Sequence, residues 1–298
     1  MSTGAAPTSE ITVEANGLTF TALAAGDEGA PLALCLHGFP DSPWTWRHLL
    51  PELAAAGFRA VAPYLRGYAP TSIPADGLYQ PGAIASDANA LHEALGGGSD
   101  AVLIGHDWGA LATYPAVGAA PERWRRAVAA SVPPPATVAQ AFFSYDQLQR
   151  SWYMFFFQSP FADMAVPMDD LRFIDRLWAD WSPGFDASED LPGVKAALRD
   201  PANLAAAIGY YRATIGSGPR DPGLDAIEAA GMAPLARPVL YLHGRNDGCM
   251  GVDLIDDSVL ASLPAEGSRI EVVDDAGHFL QLEQPELVDQ LIVGFLTE

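Results

Sequence analysis

Short apolar runs alternate with segments of helical periodicity along most of the 298-residue chain. Six such runs predict strands, at residues 31–36, 59–63, 101–104, 126–131, 238–243 and 269–273. Segments with a helical pattern lie near residues 44–56, 83–95, 254–263 and 285–296. Alternation of this kind predicts an α/β protein with a mostly parallel, twisted sheet flanked by helices and joined by right-handed crossovers.

The chain is predicted to open with two antiparallel strands. The segments Ile11–Ala15 and Leu18–Leu23 bracket Asn16-Gly17, and this dipeptide favours a two-residue hairpin turn because both positions tolerate positive φ.

The alternation of predicted strands and helices stops after the Pro-rich segment 133–135. Residues 136–232 are rich in aromatic side chains, follow a helical pattern broken by Pro and Gly, and contain no convincing strand. We therefore predict a core domain formed by residues 1–135 and 233–298, with a helical cap at 136–232 inserted between two strands.

A polar residue stands at the end of the apolar run that starts at Ala101. The segment Gly105-His-Asp-Trp-Gly109 has the form of a nucleophile elbow, G-x-S-x-G, with Asp107 in the position of the serine. The glycines suit a strained strand-to-helix turn in which the helix passes close to the strand. An alternative interpretation is that Asp107 only caps the helix that follows.

Two further polar residues follow predicted strands. Asp247 comes shortly after the run at 238–243, and His278 after the run at 269–273. The carboxyl ends of parallel strands meet at one edge of a sheet, so Asp107, Asp247 and His278 are predicted to converge. Their order along the chain, nucleophile, acid and His, is that of the α/β-hydrolase triad.

Composition excludes several classes of partner. The formal charge is −21, with 37 acidic residues against 16 basic ones, which disfavours binding to nucleic acid or to anionic lipid. No apolar run approaches the length of a membrane span, and Met1–Glu10 is polar without the apolar region of a signal peptide. These features predict a cytoplasmic protein, and nothing in the sequence specifies its oligomeric state.

The two cysteines do not indicate a disulfide framework. Cys35 lies in an apolar strand pattern and Cys249 in a predicted loop. We interpret both as buried or incidental thiols, not as partners in a disulfide or ligands of a metal. No metal and no cofactor is predicted.

Along nearly its whole length the sequence resembles the α/β hydrolases, and specifically their epoxide hydrolases. The resemblance rests on His37-Gly-Phe-Pro40, Arg66-Gly-Tyr68, Gly105–Ala110 and Gly277-His278. The fold also carries esterases, dehalogenases, lipases and receptors. A carboxylate at the elbow narrows the choice, because it is a poor acyl nucleophile but can displace a leaving group at an sp³ carbon.

The resemblance to the Asp-nucleophile branch, which includes the haloalkane dehalogenases, implies a two-step mechanism. Asp107 forms an alkyl ester with the substrate, and water activated by His278 then attacks the ester carbonyl, with Asp247 orienting the imidazole. The backbone N–H groups of Phe39 and Trp108 would bind the oxyanion. By the same resemblance, the Phe39–Pro40 peptide is expected to be cis.

Two tyrosines distinguish the possible leaving groups. Epoxide hydrolases use two cap tyrosines as acids, and their surroundings resemble Ser151-Trp-Tyr153 and Tyr210-Tyr211-Arg212. On this match Tyr153 and Tyr211 are the predicted acids for ring opening, with Tyr210 as the alternative to Tyr211. The alternative is that both only pack, since the segment 152–157 is aromatic throughout.

Departures from related families favour an epoxide. Haloalkane dehalogenases commonly carry a halide-binding Asn where this chain has Phe39, and haloacid dehalogenases hold a carboxylate with arginines where it has Trp108 and Leu111. The predicted partners are thus an apolar small-molecule epoxide and water. A haloalkane dehalogenase-like hydrolase, a Ser-type esterase and a non-catalytic binding protein of this fold remain alternatives.

Overall fold

A computed structural model describes residues 7–298. The first six residues, which include part of the polar segment Met1–Glu10, lie outside the described range. The described chain forms one eight-stranded sheet in the order β1-β2-β4-β3-β5-β6-β7-β8. Its strands are β1 (Ser9–Ala15), β2 (Leu18–Ala25), β3 (Leu32–Leu36), β4 (Arg59–Pro63), β5 (Ala101–His106), β6 (Trp124–Ala130), β7 (Val239–Gly244) and β8 (Arg269–Val273).

The sheet is antiparallel at one edge and parallel elsewhere. β1 pairs with β2 and β2 with β4 in antiparallel fashion, whereas the five remaining pairings are parallel. Asn16 and Gly17 both have positive φ, of 49° and 73°, which is the conformation that a tight hairpin between two right-twisted strands requires. The predicted hairpin and the predicted mostly parallel α/β sheet are confirmed.

The strands of the parallel part are buried on both faces. In β3, Leu34 and Leu36 pack into the apolar cluster on one face of the sheet, while Ala33 and Cys35 pack into the cluster on the other. Successive side chains of a strand point to opposite faces, so a strand between two helical layers reads as a continuous apolar run. This explains why these strands were visible in the sequence.

The helices cover both faces and fill the long interval between β6 and β7. They are α1 (Leu49–Ala55), α2 (Pro81–Ala94), α3 (Trp108–Ala119), α4 (Pro135–Ala141), α5 (Tyr145–Arg150), α6 (Trp152–Phe156), α7 (Phe161–Ala165), α8 (Met168–Trp181), α9 (Leu191–Leu198), α10 (Pro201–Ile215), α11 (Asp225–Met232), α12 (Asp257–Ser262), α13 (Leu280–Glu283) and α14 (Pro285–Thr297). None of these helices is long and apolar enough to cross a membrane.

Two predicted helices are shorter than expected. The segment 44–56 is divided into a 3₁₀ turn, Pro43–Trp46, and α1; Pro51 falls in the first turn of α1, where its missing N–H costs nothing. In the segment 254–263, a 3₁₀ turn at Val252–Leu254 precedes α12. That helix begins late because the Asp256 side chain caps it, accepting a 2.8 Å hydrogen bond from the Ser258 N–H.

Between β6 and β7 the chain is helical. Eight α-helices, α4–α11, and a 3₁₀ turn at Pro222–Leu224 lie there, and this part of the described chain contains no strand. Tyr153 lies on α6 and Tyr211 on α10. The Tyr211 ring packs against Phe39, in the loop after β3, and against Trp108, the first residue of α3. The Tyr153 ring packs against that of Tyr211.

Candidate active site

Asp107 occupies a sharp turn between β5 and α3. Its backbone has φ 52° and ψ −115°, a conformation that non-glycine residues rarely adopt and that is characteristic of strained functional turns. A Cβ on Gly105 would overlap the Gly109 carbonyl, and one on Gly109 would overlap the Leu36 carbonyl. Only glycine therefore allows the helix to approach the strand this closely. The Asp107 side chain does not cap α3.

The Asp107 carboxylate is held by the loop after β3. The backbone N–H of Phe39 donates a 2.7 Å hydrogen bond to Oδ1 of Asp107. A Cβ on Gly38 would overlap the same carboxylate, so glycine is needed for this approach. The Trp108 N–H, the second expected oxyanion donor, makes no hydrogen bond to the carboxylate in the described structure.

His37 shapes this loop and remains neutral. Its Nε2 accepts a 3.1 Å hydrogen bond from the Leu65 N–H, and its Nδ1 therefore carries the proton and donates to the Gly38 carbonyl at 2.8 Å. Burial lowers the pKa of His37 to about 4. The Phe39–Pro40 peptide that follows is cis, as expected.

His278 and Asp247 complete a buried triad with Asp107. Nδ1 of His278 lies 2.9 Å from Oδ2 of Asp247, and Nε2 lies 3.6 Å from Oδ2 of Asp107. The His278 carbonyl accepts hydrogen bonds from Ser131 Oγ, at 2.7 Å, and from His106 Nε2, at 2.8 Å. The imidazole is thus anchored through its own backbone.

The carboxylates of the triad favour the imidazolium. Burial disfavours a charge on His278, but the Asp247 carboxylate and, after it, Asp107 outweigh burial and raise the pKa of His278 to about 10. Asp247 is also buried, yet His278 and the N–H groups of its own loop lower its pKa below the ordinary value. Oδ1 of Asp247 accepts hydrogen bonds from the N–H groups of Cys249, at 2.7 Å, and Met250, at 2.9 Å.

A cavity of about 540 Å³ opens onto Asp107. Near Asp107 its lining includes Trp108, Tyr153, Tyr211, Cys249 and Met250. Farther out the lining is almost entirely apolar and includes the exposed side chains of Phe143, Phe155 and Met232. Such a cavity suits an apolar small molecule that meets a few polar groups at one end.

Both predicted tyrosines reach this cavity. Their rings pack edge to face with centroids 5.5 Å apart, and burial raises the pKa of both hydroxyls well above 10. The Tyr153 hydroxyl lies 3.4 Å from Cys249 Sγ. The Tyr211 hydroxyl has no hydrogen-bond partner in the described structure, although it is buried.

The side chains of Tyr210 and Arg212, which flank Tyr211 in the sequence, point away from the cavity. The Tyr210 hydroxyl donates to the Arg66 carbonyl at 2.9 Å and is not part of the cavity lining. The Arg212 guanidinium donates to the Phe157 carbonyl at 2.8 Å and pairs with Asp163 at 2.9 Å. The charge that the sequence placed beside Tyr211 therefore does not face the cavity.

Some lining residues were not predicted. Cys249, Met250 and Glu228 line the cavity, and no local pattern singled out any of them as site residues. Cys249 does lie two residues after the predicted acid, which is a usable signal because loops at the carboxyl ends of strands carry site residues. Glu228 comes from α11, whose placement depends on the packing of the helical segment. Phe39 contributes its N–H, but its buried side chain packs against Tyr211.

Asp247, Cys249 and His278 offer ligand atoms within 4.8 Å of one another. The cluster is chemically unsuited to a metal ion. The Cys249 Sγ already lies 3.4 Å from the Tyr153 hydroxyl. The Asp247 oxygens already accept hydrogen bonds from His278 and from two backbone N–H groups. We assign no metal to this cluster.

Comparison with known proteins agrees with this architecture. Residues 31–285 match the alpha/beta hydrolase fold family. The chain is 31% identical to Epoxide hydrolase A of Mycobacterium tuberculosis, covering 98% of each protein, and 30% identical to human Epoxide hydrolase 4, covering 97% of this chain and 78% of the relative.

A comparison with a solved structure agrees with the sequence matches. The crystal structure of Epoxide Hydrolase A from Mycobacterium thermoresistibile superposes with a TM-score of 0.81 at 27% identity, covering 97% of this chain and 98% of the other. The match in sequence and the match in structure both extend over nearly the whole chain. The chain therefore belongs to the α/β-hydrolase fold family and, within it, to the epoxide hydrolases, and it is a hydrolytic enzyme.

Proposed function

We propose that the enzyme opens an apolar epoxide to a vicinal diol through a covalent ester on Asp107. One observation carries the proposal: a buried carboxylate at the elbow and two buried tyrosine hydroxyls line the same apolar cavity. The carboxylate is the nucleophile that an sp³ carbon requires, and the phenols are the acids that a departing alkoxide requires.

In the first step, Oδ2 of Asp107 attacks an epoxide carbon and the C–O bond of the ring breaks. The other carboxylate oxygen, Oδ1, stays bound to the Phe39 N–H. The epoxide oxygen takes a proton from Tyr153 or Tyr211 as the bond breaks. A neutral phenol is a suitable donor because its ordinary pKa of about 10 lies below that of an alcohol, and burial keeps both phenols protonated.

In the second step, water attacks the ester carbonyl carbon of Asp107 and gives its proton to His278. The oxyanion forms on Oδ1, where the Phe39 N–H already lies at hydrogen-bond distance, and the Trp108 N–H is the second donor proposed. Collapse of this intermediate breaks the bond between the carbonyl carbon and Oδ2, and Oδ2 leaves as a hydroxyl of the diol after taking the second proton of the attacking water. The diol leaves, and the oxygen of the water remains on Asp107.

The protons balance if His278 is charged in the resting enzyme. Esterification removes the negative charge of Asp107, which is one of the two carboxylates that raise the pKa of His278. His278 can then return the proton that the tyrosine gave to the epoxide oxygen, and it becomes the neutral base that the second step needs. Hydrolysis of the ester restores both the carboxylate and the imidazolium.

We further propose that residues 136–232 act as a cap over a core of residues 1–135 and 233–298. The support is that α6 and α10 carry Tyr153 and Tyr211 to a cavity that is also lined by Asp107, the residue that follows β5. The apolar lining and the volume of about 540 Å³ favour an epoxide with an aryl or long alkyl substituent.

A second candidate function is hydrolysis of a haloalkane by the same triad. It is favoured by Trp108 Nε1, a buried donor that lacks a partner in the described structure and could bind a halide ion. Phe39, however, has no side-chain donor to share that task. A non-catalytic binding protein is disfavoured because binding alone needs neither the triad nor the two phenols.

The proposal is tested by supplying the purified enzyme with styrene oxide and with 1-bromohexane, and measuring diol and bromide. We expect diol from the epoxide, no diol from Asp107→Asn, and full activity in the exposed control Asp27→Asn. Bromide release without diol formation would favour the second candidate. Inactivity of the wild type towards a panel of epoxides and haloalkanes would contradict both candidate functions.

A further inference from the structure

Gln147 is a buried residue of a short helix on which the side chains of Asp146 and Gln149 are exposed. It lies on α5, is fully buried, and belongs to none of the groups that carry the proposed chemistry. Two residues away on the same helix, Gln149 is exposed. Burying an amide costs free energy of folding unless its polar atoms form hydrogen bonds. The hydrogen-bond partners of Gln147 therefore indicate its role.

The Gln147 amide joins the helical segment to the loop of the triad acid. Its Nε2 donates to the Cys249 carbonyl at 2.9 Å and to Ser151 Oγ at 2.8 Å, and its Oε1 accepts from the Gly251 N–H at 3.1 Å. Two of these bonds reach across more than 100 residues of chain to the loop after β7. Both donors of the amide are thus used, and its oxygen accepts one hydrogen bond.

The loop that Gln147 holds in turn contacts Tyr153. Cys249 donates its backbone N–H to Oδ1 of the triad acid Asp247 at 2.7 Å, while its Sγ lies 3.4 Å from the Tyr153 hydroxyl. This thiol is the hydrogen-bond partner of that hydroxyl. One residue therefore contacts both the triad acid and a proposed ring-opening acid.

We infer that Gln147 and Cys249 form a clamp that positions the Tyr153 hydroxyl relative to the catalytic triad. The inference rests on the proposed function, in which Tyr153 protonates the epoxide oxygen. Gln147 sets the distance between α6 and the loop at 249–251, and the Cys249 thiol orients the phenol. Both are positioning residues, since they act through Tyr153, and small displacements of an acid slow proton transfer strongly.

The first test replaces Gln147 by Met, which keeps the length of the side chain and removes its amide. Single-turnover mixing with styrene oxide, with mass spectrometry of quenched samples, measures formation and decay of the ester on Asp107. Loss of two or three hydrogen bonds should slow ester formation roughly 5- to 30-fold and leave its decay nearly unchanged. The matched variant Gln149→Met should behave like the wild type in both steps.

A double-mutant cycle separates positioning from general loosening. In a Tyr153→Phe background, Gln147→Met should slow ester formation no further, whereas in a Tyr211→Phe background it should keep its full effect. An equal effect of Gln147→Met in all three backgrounds would overturn the clamp. The clamp would also be overturned if Gln147→Met formed the ester at the wild-type rate while Tyr153→Phe formed it slowly. In that case the proposed function would still stand.

Cys249 provides a second route if Gln147→Met does not fold. Cys249→Ala removes the partner of the phenol and should slow ester formation several-fold, and Cys249→Ser, which restores a hydroxyl partner, should recover part of the rate. Wild-type ester formation in Cys249→Ala would overturn the clamp. If Tyr153→Phe itself forms the ester at the wild-type rate, the assignment of Tyr153 fails and the clamp fails with it.

Discussion

Nε2 of His278 lies 3.6 Å from Oδ2 of Asp107 and has no hydrogen-bond partner in the described structure. This separation is longer than a hydrogen bond, so the imidazole is close to the Asp107 carboxylate without being bound to it. Once esterification of Asp107 has led His278 to give up its proton, this ring nitrogen can accept one from water that attacks the carbonyl carbon. The geometry is therefore suited to hydrolysis of an ester on Asp107.

Removal of this base should trap the covalent intermediate. We expect His278→Gln, incubated with styrene oxide, to gain the mass of the substrate, because alkylation needs only Asp107 and a tyrosine while hydrolysis needs the imidazole. Intact-protein mass spectrometry detects the adduct, and peptide mapping should place it on Asp107.

The matching control is Asp107→Asn, which should form no adduct and show no initial turnover. A single turnover of the wild type in ¹⁸O-water should label Asp107 and not the diol. If the diol carries the label in the first turnover, water attacks the epoxide directly and Asp107 is a general base.

Loss of either phenol should slow ring opening. We expect Tyr153→Phe and Tyr211→Phe each to reduce the rate of ester formation by about 100-fold, the usual contribution of a general acid, with residual activity from the remaining hydroxyl. Stopped-flow single-turnover measurements provide the rates. Tyr210→Phe is the matched control, because its hydroxyl is bound to the Arg66 carbonyl outside the cavity. A slow Tyr210→Phe beside a normal Tyr211→Phe would reverse the assignment.

The charge on Asp107 should control the protonation of His278. In the wild type, where the pKa of His278 is raised to about 10, the imidazole should stay protonated through pH 9. Asp107→Asn, a neutral mimic of the ester, should lower that pKa because one of the two facing carboxylates is lost. NMR titration of the histidine rings measures both values, with His278→Gln used to assign the signal. Identical pKa values in the two proteins would contradict the proposed proton cycle.

A buried carboxyl on α14 should make stability depend on pH. Burial, with a smaller contribution from Glu52, raises the pKa of Asp289 to about 7, and Oδ1 of Asp289 has no partner in the described structure. The native state therefore holds the proton more tightly than the unfolded chain. The stability that this gives is complete below about pH 4 and is lost as the pH rises through about 7.

Replacing Asp289 by Asn removes this ionisation. We expect the melting temperature of Asp289→Asn to exceed that of the wild type by several degrees at pH 8, and the difference to shrink towards pH 4.5. Differential scanning calorimetry at the two pH values measures the effect, and the exposed Asp27→Asn should show no such change. A constant difference at both pH values would mean that Asp289 is already ionised in the native state.

The fold class and the three residues of the triad could be predicted from the sequence. Strands buried on both faces appear as apolar runs, and the α/β class follows from their alternation with helices. Asp107 was recognisable because a strained elbow needs glycines at fixed positions, and Asp247 and His278 because the carboxyl ends of parallel strands share one edge. These inferences depend only on neighbours along the chain or on a general rule of sheet topology.

Only the tertiary structure decided which side chains reach the cavity and which distant residues meet, because both depend on how one element packs against another. Tyr210 and Tyr211 are equivalent in sequence, but successive residues of a helix point about 100° apart, so only the docking of α10 directs Tyr211 to the cavity and Tyr210 to Arg66. Gln147 and Cys249 meet across 102 positions, and no local pattern encodes that contact. The raised pKa of His278 arises in the same way, because it requires two distant carboxylates to be buried beside one imidazole.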